Sequence, residues 1–115
     1  MNAREAWQYL IQQALIAEAE GKRFKTNSNR YHWVNSASDD QLAVGRHKGG
    51  STTAEGKPST LHFPSFEKGW NLLKQNGSID SNDLPRGVKV QQFLVRTLMS
   101  DVLIYNDSTK TIQLK

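Results

Sequence analysis

Residues 88–114, VKVQQFLVRTLMSDVLIYNDSTKTIQL, decide the fold class, because a helix pattern and a hairpin pattern follow one another within them. Val90, Phe93, Leu94 and Leu98 recur at helical spacing, which predicts an amphipathic helix over about 88–100 with those side chains turned inward. The same spacing leaves Lys89, Gln92 and Arg96 at i, i+3 and i+7 on another face, with Gln91 beside them. Two short β-favouring runs follow, 102–105 and 111–114, and Asn106, Asp107 and Ser108 supply a polar turn between them.

Upstream, residues 65–76 read as a second helix. Ser65 is the expected N-cap after Pro64, Glu67 suits the positive helix start, and Phe66, Trp70 and Leu73 form its apolar stripe. Gly77 is placed to end it, and residues 78–87 form a linker that Ile79 and Leu84 pin to the core. Earlier still, the runs 23–26, 31–34, 41–46 and 60–63 predict a small antiparallel meander, with turn-forming Asn, Ser and Asp at 27–29 and 36–40. The connection 48–58, with three glycines and two lysines, is expected to be a mobile loop. At the start of the chain Trp7, Leu10, Ile11, Ala14 and Leu15 mark a helix over 3–20, which Gly21 ends. The expected class is therefore α+β: one domain, a small antiparallel sheet packed against three helices, and a C-terminal β-hairpin.

The chain has 115 residues, of which 37% are hydrophobic and ten are aromatic, enough apolar surface for one modest core. There is no cysteine, so disulfide frameworks and thiolate metal sites are excluded, as suits a reducing, cytoplasmic setting. No signal-like start and no apolar run near the roughly 18 residues of a membrane span are present, so no membrane association is expected. The net charge of +4 is uneven: residues 1–20 carry −2, 21–58 carry +4, 59–100 carry +2, and the remainder is neutral. With a pI near 9.5, this clustering favours polyanionic partners through long-range attraction and counterion release.

The order helix, strands, helix, helix, hairpin resembles a winged-helix arrangement, with 88–100 in the recognition position and 106–110 at the wing tip. A looser likeness spans 21–105. The stretch Gly21, Lys22, Phe24, then aromatic strands, then Phe66, Glu67 and Trp70, is similar to small α+β modules attached to bacterial restriction-type and other DNA-handling proteins. This resemblance implies a non-enzymatic DNA-binding module. On that reading Lys89, Gln92 and Arg96 face the major groove, where Arg and Gln meet base edges. Lys22, Arg23, Lys25, Arg30, Arg46, Lys48 and Lys57 neutralise phosphates. Tyr31 and Trp33, with His32 between them, are candidates for stacking on bases. The competing reading is a protein-interaction or inhibitor module of phage or plasmid accessory type, burying its first helix and exposed aromatics against a protein partner.

Catalytic patterns are thin. His32, His47 and His62 lie on or beside expected strands without H-x-H or H-E-x-x-H spacing, so no metal is assigned. Asp39 or Asp40 followed by Glu55, Gly56 and Lys57 has the acid, then E-x-K order of a metal-dependent nuclease, but in a glycine-rich segment. Gly45, Gly49 and Gly50 with Arg46 and Lys48 lack the P-loop signature and a following helix, and read as an ordinary loop. No G-x-S-x-G elbow is present, and nothing calls for a cofactor.

Overall fold

The computed structural model describes residues 1–51, 53–89 and 91–115. Helix α1 (Ala3–Ala19) starts one residue after Asn2, whose side chain accepts from the Glu5 backbone N–H while the Glu5 side chain accepts from the Asn2 N–H. That reciprocal pair is a capping box, satisfying donors the first helical turn leaves open. Four strands follow: β1 (Arg23–Lys25), β2 (Tyr31–Ala37), β3 (Gln41–Arg46) and β4 (Ser59–His62). They pair antiparallel in sequence order, the expected meander, with a bulge between Val34 and Ser36.

Helix α2 spans Phe63–Asn76, two residues earlier than the sequence suggests. His62 occupies the N-cap position and Pro64 lies in the first turn, so Ser65 is not the cap and Glu67 is not in the first turn. Proline tolerates an early helical position because its missing N–H would have no partner there. Gly77, at φ 78°, closes the helix in the left-handed conformation that glycine adopts without a steric cost.

The last third departs most from expectation. Strand β5 (Ser78–Asp80) arises within the supposed linker and pairs with β7 (Thr111–Leu114), which also pairs with β6 (Leu103–Asn106). A second, three-stranded sheet thus replaces the isolated hairpin, in the order β5-β7-β6. Ile79 and Leu84 do anchor the segment to the core. The expected helix over 88–100 is divided into α3 (Arg86–Lys89) and α4 (Gln92–Leu98). Val90, expected to point inward, lies outside the described residues. Gln91, expected beside a polar surface, is buried at the break and its Nε2 donates to Ser59 Oγ at 2.6 Å and to the Thr60 carbonyl at 3.3 Å.

The class is α+β, with a four-stranded sheet, a three-stranded sheet and four helices among the described residues. Trp7 and Leu10 from α1, Leu42 and Val44 from β3, Leu61 from β4, and Leu94 and Met99 from the end of the chain are almost wholly buried together. Leu15, counted in the α1 stripe, is instead 46% exposed. Because side chains alternate across a strand, Val34, Leu42, Val44 and Leu61 face the helices while Arg23, Lys25, Tyr31 and Trp33 occupy the outer face of the first sheet. No described helix is long and apolar enough to cross a membrane.

Candidate nucleic-acid interface

At the end of the sheet where β2 begins and β3 finishes, Arg30, His32, Arg46, His47, Lys48 and Lys57 line one cleft, together with Gly49 and Gly56. Its volume is about 280 Å³. Antiparallel pairing creates it: His32 sits directly across from Arg46, and Arg30 precedes the same strand. The segment after β3 then folds back. His47 pairs with Glu55, the Lys48 N–H donates to the Ala54 carbonyl at 2.7 Å, and the Gly56 N–H donates to the Arg46 carbonyl at 2.9 Å. Among the described residues of the connection 48–58, expected to be a mobile loop, these hydrogen bonds form a return that brings Lys48 and Lys57 to the cleft.

Among the described residues no carboxylate lines this cleft. Among the described residues Arg30, Arg46, Lys48 and Lys57 have no ion-pair partner, whereas Lys22 pairs with Glu20 and Arg23 with Glu55, each at 3.1 Å. The Nδ1 atoms of His32 and His47 are buried without a hydrogen-bond partner. Burial lowers the His32 pKa below the ordinary histidine range, and the neighbouring Arg46 and His47 lower it further. The site is thus a concentration of positive charge without ion-pair partners among the described residues, suited chemically to an oxyanion.

The other candidates lie apart. Lys25 is exposed on the outer face opposite Tyr31. Trp33 lies against Gly45, and the Arg23 guanidinium stacks over its ring 4.0 Å from the centroid, so a base would have to displace Arg23 from that face. Tyr31 meets His47 edge-on, with ring centres 5.9 Å apart. On α4, Arg96 is only partly exposed: its guanidinium lies 3.5 Å over the Tyr105 ring and Nη1 donates to Gln92 Oε1 at 3.4 Å. Gln92 and Arg96 line a small apolar cavity against α2 and the second sheet. Lys89 is exposed on the separate helix α3, its Nζ donating to the Asn82 carbonyl at 3.5 Å. Lys89, Gln92 and Arg96 therefore do not share one continuous helix face, because α3 ends at Lys89 and α4 begins at Gln92.

The nuclease-like order does not assemble. The Asp39 carbonyl accepts from Trp7 Nε1 and the Asp40 carbonyl from the Phe63 N–H, at the start of β3, while Glu55 pairs beyond its other end. At about 3.3 Å per strand residue the two ends are roughly 20 Å apart. His62 is at the Asp40 end too, across from Gln41, so only His32 and His47 of the three histidines come together. Among the described residues no three His, Asp or Glu side chains are grouped as metal ligands. Arg46, Lys48 and Gly49, read in sequence as part of an ordinary loop, do share the cleft, to which Arg30 comes from just before β2 and Lys57 from just before β4, an approach that local sequence does not signal. No family model matches the chain, and no curated protein or solved structure is significantly similar to it.

Proposed function

We propose that the protein is a non-enzymatic module that binds nucleic acid, DNA in the first instance, with the basic cleft as its main contact. The observation that carries this reading is the convergence of Arg30, Arg46, Lys48 and Lys57 on a cleft with no carboxylate among its described lining residues. Like charges gathered in this way repel one another, and a phosphate-bearing polymer relieves that repulsion while releasing its own counterions. Lys25 and Tyr31, on the adjoining outer face, extend the footprint. The engagement of Arg96 with Tyr105 and Gln92 argues for the sheet end over α4 as the contact surface.

The test is a fluorescence-anisotropy titration of labelled duplex DNA, single-stranded DNA and RNA at two salt concentrations. With roughly four phosphate contacts, affinity should fall on the order of 100-fold between about 50 and 200 mM salt. The double variant Arg46→Gln, Lys48→Gln should weaken binding and flatten that dependence; unchanged binding would sink the proposal. A protein-partner reading rests on a different observation, the exposure of Leu15 and Ile16 on α1 (46% and 51%) beside a groove lined by Arg4, Trp7 and Ile11. That reading requires association that is nearly insensitive to salt.

A further inference from the structure

We infer that the cleft between the start of β2 and the return after β3 is a seat for a dianionic phosphomonoester, presented as the terminal phosphate of a nucleic-acid strand. The strand-end part of this inference rests on the nucleic-acid reading above; the oxyanion seat does not.

The argument begins with charge. A phosphodiester in a chain carries one negative charge, and successive ones are spread along a backbone that a groove or stripe of cations follows. Here four cations converge instead on one pocket-like space, a concentration matched to a doubly charged group with three free oxygens. Arg30 and Arg46 offer planar forks for bidentate contacts, and Lys48 and Lys57 add compact charges. Gly49 and Gly56 add no side chain to the lining. The volume, about 280 Å³, is near the lower end of ligand-sized clefts, about 300–1,000 Å³, and accommodates a phosphate with part of its sugar.

The second observation is a histidine, His32, with His47 as its neighbour across the strand pair. Each has a buried Nδ1 without a partner, and His47 as a whole is 92% buried, as its 8% exposure states. Buried polar atoms are usually paired, so the unpartnered Nδ1 of His32, on the same side of the sheet as Arg46, points to a missing ligand, whereas the His47 ring packs on the outer face against Tyr31 and Trp33. His32 faces Phe24 on β1, Arg46 across β3 and the Phe93 ring of α4 at 5.4 Å; the charged or titratable groups around the cleft are Arg30, Arg46, His47, Lys48 and Lys57, with no acid among them. A bound dianion offsets part of the field that those cations impose on His32, favouring its protonated, donating form. Oxyanion binding and protonation of His32 therefore promote each other, and affinity rises as pH falls through the histidine range.

The test uses the full chain. Amide and histidine resonances are followed by NMR during titration with sodium sulfate, which stays dianionic throughout, and with sodium chloride at equal ionic strength, at about pH 5.5 and about pH 8. Saturable shifts at Arg46, Lys48, Gly49 and Gly56 with sulfate alone, tighter at the lower pH, are expected. Arg46→Gln, which removes an exposed and unpaired side chain, should weaken sulfate binding about 10-fold or more with the spectrum otherwise retained. Anisotropy titrations then compare one oligonucleotide with a 5′-phosphate, with a 3′-phosphate and with neither, with inorganic phosphate as competitor. Preference of about 10-fold for one phosphorylated end is expected. If sulfate shifts no cleft resonance saturably, or the three oligonucleotides bind alike, the seat or its strand-end role is refuted while nucleic-acid binding stands. Saturable sulfate binding without any oligonucleotide binding would refute the nucleic-acid reading and keep the seat.

Discussion

A methyl group at Gly45 has no room, because the Trp33 indole lies against that Cα on the outer face of the sheet. Gly45→Ala is therefore expected to lower unfolding free energy by about 1–3 kcal/mol through overpacking, measured as a shifted urea midpoint. Combined with Trp33→Val the loss should be less than additive, since the two substitutions share one contact. His32 sets a pH dependence of opposite origin. Its folded pKa is lowered, first by burial and then by Arg46 and His47, so the unfolded chain takes up the proton before the folded one as pH falls. Its contribution to stability is full above the ordinary value of 6.5 and declines as the pH drops from there toward the folded-state value. Urea unfolding at about pH 7.5 and about pH 5.5 should show this decline, and His32→Gln should reduce it. Neither behaviour was legible in the sequence, where Gly45 is one glycine of eight and His32 one histidine of three. Only strand register places the indole on the first and Arg46 across from the second.

At the scale of elements, periodicity carried furthest where an element is long and half-buried. The stripe Trp7, Leu10, Ile11 and Ala14 located α1, and the turn residues located the four-stranded meander. It failed where elements are short: three residues of β5 contain too few alternations to be seen, and its pairing to β7 is non-local. The divided helix shows a different limit. Gln91 looked like a surface residue by composition, yet its amide is drawn in to Ser59 and Thr60, and α4 starts afresh beyond it. Arg96, counted among the base-reading residues, packs on Tyr105 instead. Arg96→Ala should therefore cost about 1 kcal/mol of stability in thermal or urea unfolding, through lost cation–π and stem packing. Nucleic-acid affinity should change little; a loss as large as that of Arg46→Gln would restore α4 as the contact surface.

Across the whole molecule the net charge of +4 is less informative than its pairing. Glu20 and Glu55 neutralise Lys22 and Arg23, whereas the cleft cations have no such partner among the described residues. Glu55→Gln frees Arg23 beside the cleft. On the nucleic-acid reading it should tighten binding a few-fold at low salt, with the gain fading near a Debye length of about 8 Å at physiological ionic strength. Stability should change by less than about 1 kcal/mol, because the Arg23–Glu55 pair is exposed. An activity dependent on Glu55 as a metal ligand would behave oppositely, being lost in this variant.

By itself the sequence determined the α+β class, the first helix, the order of the meander and the excess of base in residues 21–58, since each depends on local period, turn chemistry or counting. Tertiary structure alone decided which bases share a cleft, which are neutralised, and which polar residues of the last third face inward. Those outcomes depend on cross-strand register and on groups far apart in the chain, about which neighbouring residues carry no information.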